Sequence, residues 1–131
     1  MIKDSQLSED IERLAEQVVN CFYQVHKELG PGLLESVYET CLIHELSLNG
    51  VSFRSQVSLP LDYKGIKLEA GIRLDLLIAN SIIIEIKAVE KLLPIHEAQL
   101  FTYLKLTKQR LGFLVNFNTQ FIRDGIRRII R

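Results

Sequence analysis

Apolar residues along this chain keep a helical spacing twice, then switch to period two, return once to a helical spacing and end in extended runs. Ile11, Leu14, Ala15, Val18, Phe22, Val25 and Leu29 fall on one face, opposed by Glu12, Arg13, Glu16, Gln17 and Lys27, which predicts a long amphipathic helix. Ser8 with Glu9 and Asp10 behind it supplies a cap and an acidic first turn, and Gly30-Pro31-Gly32 ends the helix. A second helix is expected over residues 33–49, with Leu34, Val37, Tyr38, Cys41 and Leu42 on its apolar face and Asn49-Gly50 as its stop. Glu35 lies beside that stripe. By itself it reads as a first-turn acid favoured by the helix dipole.

Beyond Gly50 the pattern is extended: residues 51–59, 61–63, a Lys64-Gly65 turn, 66–70, and then two very apolar runs, 73–78 and 82–87, joined through Asn80-Ser81. This predicts a meander of about four strands. Leu93-Pro94 opens a third helix with Leu100, Phe101 and Leu104 inward, and with His96, Gln99 and Tyr103 along one side at spacings of three and four. The apolar run 111–117 reads as a buried strand parallel to a central one, because a helix connects them. After a turn at Asp124-Gly125, residues 126–131 read as an edge strand whose arginines are either solvated or a strip for phosphates.

With 131 residues, 47% of them hydrophobic, the chain suits one domain over residues 1–131. Sixteen basic and sixteen acidic side chains cancel, so nucleic-acid binding would have to rest on a local patch rather than on net charge. The longest apolar runs fall far short of the roughly 20 residues that span a bilayer, and the first residues carry acids rather than a signal pattern; a cytoplasmic protein with no membrane partner is expected. Cys21 and Cys41 lie in helical patterns without CxxC or Cys/His spacing and read as buried thiols.

Charge enters the picture at the two apolar strands. Leu74, Leu76 and Ile78 alternate with Arg73, Asp75 and Leu77, and Ile82, Ile84 and Ile86 alternate with Ile83, Glu85 and Lys87. Asp75, Glu85 and Lys87 are either the solvated side of a hairpin or a buried site. Ile83 and Leu77 on the same side argue against the first reading, and the cost of burying a carboxylate demands a cation or a metal in the second.

Leu74-Asp75 followed by Glu85-Ile86-Lys87 resembles the Asp and (Asp/Glu)-x-Lys core of the PD-(D/E)XK nuclease superfamily, with Leu74 in place of the proline. Gln99-Leu-Phe-Thr-Tyr103 is similar to the QxxxY helix of its RecB-type exonuclease branch, and Gly32-Leu-Leu-Glu35-Ser-Val-Tyr38 resembles the signature of the small bacterial GxxExxY family. The resemblance implies an α/β fold with a restriction-endonuclease-like core: a mixed central β-sheet flanked by helices, in the order two helices, three or four strands, helix, strand. It also implies a Mg²⁺ (or Mn²⁺) ion held by Asp75, Glu85, the Ile86 carbonyl and Glu35. Lys87 would orient or deprotonate the attacking water. Gln99 and Tyr103 would hold Lys87 and the phosphate, with His26, His96 and Tyr38 as further substrate contacts.

The activity implied is metal-dependent hydrolysis of phosphodiester bonds in DNA rather than RNA, with Lys87, Lys91, Lys105, Lys108 and Arg110 as a local basic rim. The reading from another class is a catalytically silent nuclease-fold module that binds nucleic acid or a protein partner. A homodimer is a further alternative, since no second substrate-gripping domain is recognisable.

Overall fold

The computed structural model describes residues 7–131. Helix α1 (Glu9–Leu29) is capped by the Ser8 hydroxyl, which accepts the Ile11 amide at 3.2 Å, and it buries Ala15, Val18, Cys21, Phe22 and Val25 along one stripe. Helix α2 (Glu35–Leu48) follows after the Gly30-Pro31-Gly32 turn and buries Tyr38, Leu42 and Leu46, an i, i+4, i+8 row. This row differs from the expected stripe. Leu34 and Val37 are exposed, because α2 meets the sheet along a narrower face than its apolar content suggests. Tyr38 is wholly buried; its hydroxyl donates to Gly30 O at 2.6 Å and accepts from Leu33 N at 3.1 Å, so it fastens the turn between the helices, with its ring stacked on Phe117.

Five strands form one mixed sheet in the order β1-β2-β3-β4-β5. The first two, β1 (Phe53–Tyr63) and β2 (Ile66–Ile78), make a long antiparallel hairpin, so the region expected to hold about four strands with β3 holds three. Gly71 is the reason the 66–70 and 73–78 runs are continuous: a Cβ there would overlap that of Leu61, and without one β2 passes the irregularity between Leu59 and Leu61 unbroken. Strand β3 (Ile82–Lys87) pairs antiparallel with β2 and parallel with β4 (Leu111–Asn116). Helix α3 (Pro94–Thr107) makes that crossover, as the sequence predicts. A 3₁₀ turn at Ile122–Gly125 leads into β5 (Ile126–Ile130), antiparallel to β4 at the edge.

Two layers cover the sheet. Leu76, Ile78, Ile82, Ile84, Ile86, Phe113 and Val115 face α1 and α2, whereas Val57, Ile72, Leu74, Leu77, Ile83 and Leu114 face Leu100 and Leu104 of α3. Phe101, expected inward, is 44% exposed, because Leu100 and Leu104 already fill the seam of α3. With both faces covered, β3 is buried along its length except at Lys87, which is half-buried at its end. Cys21 is a buried thiol whose pKa burial and Glu45 push up to about 11, and Cys41 is half-buried. Among the described residues no helix is long and apolar enough to cross a membrane.

The hairpin changes face at one point. Leu74 packs with the α3 layer and Leu76, two residues on, with the α1/α2 layer, so the strict alternation expected through 73–78 breaks at Asp75. Across from it, Ser55 pairs with Leu76 and Val57 with Leu74, and the residue between them, Gln56, takes a positive φ of 49°. One irregular residue on each strand preserves the register while turning the ribbon over.

Candidate active site

The β2–β3 ladder runs from Ile78↔Ile82 to Leu76↔Ile84 and stops. Asp75 and Glu85 come next, and their side chains take over from the main chain. Glu85 Oε2 accepts the Asp75 amide at 2.8 Å, and Asp75 Oδ2 accepts the Ile86 amide at 2.8 Å. Two amides that the diverging strands would leave unpaired are thereby satisfied. Each carboxylate engages through one oxygen in these bonds.

Glu85 is 6% exposed, and among the described residues neither it nor Asp75 makes a salt bridge. Burial, then the charge of Asp75, pushes the Glu85 pKa up to about 8, against the opposing pull of the Asp75 amide and Lys87. No ammonium or guanidinium among the described residues makes a salt bridge to the pair, and Lys87 reaches it through its field alone. Lys87 follows on the same side of β3 as Glu85, half-buried, with its main-chain carbonyl accepting Phe117 N at 3.0 Å.

Both helical layers reach this pair electrostatically. Glu35, at the exposed start of α2, has its pKa raised by the protein around its carboxyl and then by Asp75, while Lys87 lowers it. From α3, the half-buried Tyr103 hydroxyl is raised by burial, then by Glu85 and Asp75. The structure thus brings Asp75, Glu85, Lys87, Glu35 and Tyr103 into one field.

Glu39 joins them, a residue that the sequence pattern does not single out. Burial and then Asp75 raise its pKa, and Oε1 accepts Gln56 Nε2 at 2.8 Å, tying α2 to the turned-over point of the hairpin. Its position one turn after Glu35 on the same helix face is the signal that could have found it.

The remaining residues are engaged elsewhere. His26 is buried with Nε2 2.8 Å from Thr119 O, Tyr38 holds the α1–α2 turn, and His96 Nδ1 accepts Leu93 N at 3.0 Å at the start of α3. Gln99 is exposed on α3.

Among the described residues no three His, Cys, Asp or Glu side chains are grouped closely enough to hold a metal ion by themselves. The donor set still fits a hard divalent cation of the magnesium type, which keeps several waters and is commonly bound through one or two carboxylates plus substrate phosphate. Asp75 and Glu85 supply two carboxylates that make no salt bridge among the described residues, which is the chemical reason for the fit.

A model of the PD-(D/E)XK nuclease superfamily matches residues 12–129. Nucleases of this superfamily generally use divalent metal ions. No curated protein matches the chain. A solved structure, described as the crystal structure of SSO0001, is similar at 27% identity and a TM-score of 0.50, covering 72% of this chain. The match takes in 48% of that protein's length, about half of it. The mixed five-stranded sheet between helical layers, with Asp75 and Glu85 where two of its strands part, is a restriction-endonuclease-like α/β fold, and the chain belongs to the PD-(D/E)XK nuclease superfamily.

Proposed function

We propose that this protein is a Mg²⁺- or Mn²⁺-dependent nuclease that hydrolyses phosphodiester bonds in DNA, of the GxxExxY family within the superfamily. The observation that carries the reading is the Asp75–Glu85 pair: two carboxylates at the parting of β2 and β3, one of them buried, without a salt-bridge partner among the described residues. A bound divalent ion would neutralise phosphate charge and activate water there. Asp75, Glu85 and the Ile86 carbonyl would hold it, with Glu35 completing the set from α2. Lys87 orients the attacking water and offers its ammonium to the charge that develops on the phosphate oxygens. Tyr103 stands on the α3 side to hold the phosphate, and Gln99 lies one turn before it.

The test is cleavage of end-labelled single- and double-stranded DNA and RNA by the wild-type chain and by Asp75→Ala, with Mg²⁺, Mn²⁺ or excess EDTA. The reading predicts DNA products that require the ion and disappear with Asp75→Ala. Activity equal in EDTA, equal in the variant, or confined to RNA contradicts it; a wild type that binds DNA and cuts nothing in any arm would make the chain a silent nucleic-acid-binding module.

A further inference from the structure

We infer that Asn116 is a positioning residue for Lys87, acting through the main chain on which the lysine is carried. This role rests on the nuclease reading above. Beyond Ile84, β3 has lost its ladder to β2, and beyond Lys87↔Asn116 it has no further ladder partner on β4. Past Lys87 the chain is freed on both sides, and a loose loop there would let the end of the strand that carries Lys87 move with it. Asn116, 2% exposed, prevents this by imitating one more step of the ladder with its side chain.

Its Oδ1 accepts Val89 N at 3.0 Å and its Nδ2 donates to Val89 O at 2.9 Å, so one amide group closes on both main-chain polar groups of Val89. The same Oδ1 also accepts Asn118 N at 3.2 Å, and Asn118 Nδ2 donates to Val89 O at 3.3 Å, bracing the clamp from behind. With Phe117 N on Lys87 O at 3.0 Å, the main chain is held at Lys87 and again two residues later.

An asparagine suits this position because it alone offers a neutral acceptor and donor at this length. Aspartate would lose the donor, and leucine would leave the Val89 groups unpaired. Fixing the main chain on both sides of Ala88 sets the direction in which the Lys87 side chain leaves β3. The same clamp orients the segment leading into α3, which carries Tyr103.

The experiment uses the full chain, with Asn116→Ala and Asn116→Ser, and reads three things: amide hydrogen exchange at Val89, kcat and KM for metal-dependent cleavage of labelled DNA, and far-UV circular dichroism. Expected are faster Val89 exchange, an unchanged fold, and a kcat lowered about 10- to 100-fold at unchanged KM, the size of effect that a small misplacement of a reacting group produces. Faster exchange with wild-type kcat in whichever variant stays folded would make Asn116 a loop anchor only and overturn the inference. A fall in kcat that merely tracks a loss of folded protein in both variants would overturn it as well. A wild type without cleavage sinks the nuclease reading and this role together, whereas an active wild type with indifferent variants sinks this role alone.

Discussion

Glu85→Gln is expected to flatten the fall in stability that the metal-free wild type shows as pH rises from about 4.5 to about 8. The sign follows from linkage. The folded-state pKa is raised to about 8 from an ordinary 4.5, so within that window the folded chain keeps a proton that the unfolded chain has released. Unfolding then becomes easier with rising pH, by about 1.4 kcal/mol per unit where the difference is one whole proton. Below the window both states are protonated and the penalty is absent; above it both are ionised and the penalty is complete, on the order of a few kcal/mol.

Glutamine cannot ionise, yet its side-chain oxygen can still accept the Asp75 amide that Glu85 now holds at 2.8 Å. Urea denaturation from pH 4 to pH 9 should therefore give curves for wild type and Glu85→Gln that coincide at the acid end and separate towards pH 9, with the variant the more stable. The contribution of Glu39, raised in the same direction, cancels to first order in this difference, and that of Glu35, whose charge also acts on Glu85, adds in the same sense. Mn²⁺ should restore much of the wild-type loss at alkaline pH and little of the variant's, since an ion that binds only the folded state stabilises it by mass action. Parallel curves without separation would show that Glu85 is not held in the buried, like-charged setting described above.

Lys87→Ala is expected to lower the cleavage rate by about 10²- to 10⁴-fold while leaving ion binding intact, the range typical of losing a general acid–base group or a charge stabiliser. The split comes from the electrostatics. Lys87 lowers the pKa of both Glu85 and Glu35, so its positive charge lies within the field of the acids, and its removal takes repulsion away from an incoming cation. Asp75→Ala loses a carboxylate and should lose ion affinity and rate together. Single-turnover cleavage beside Mn²⁺-induced shifts in Tm separates the two variants. A Lys87→Ala chain that cuts at the wild-type rate, or one that no longer binds the ion, would remove Lys87 from the role assigned to it.

Much of the architecture was legible because α1 is long and evenly striped and β3 and β4 are short, almost wholly apolar runs: the α1 stripe, the parallel β3–β4 crossover through α3 and the shared face of Glu85 and Lys87 follow directly from the positions of their apolar residues. Elements whose burial is decided by neighbours were less legible. Phe101 and Leu34 have the right spacing for a core face, but Leu100 and Tyr38 occupy the available seam. Alternation also presumes that a strand keeps its faces, whereas Gln56 and Asp75 turn the hairpin over together, a tertiary event that period two does not encode. The acids on β2 and β3 were visible as charges in apolar runs. Their hydrogen bonds to each other's strands were not, and neither was the long-range anchoring of His26 to Thr119.

We propose Asp75 and Glu85, held at the parting of β2 and β3, as the ion site of a phosphodiesterase. Titration calorimetry of Mn²⁺ into the wild-type chain and Asp75→Asn at pH 8 tests it most directly. Saturable binding is predicted for the wild type, weakened by about tenfold or more in Asp75→Asn, since even residues one step removed from an ion cost about 10- to 100-fold in affinity. Identical isotherms for the two proteins, or a wild type that binds no Mn²⁺, would contradict it.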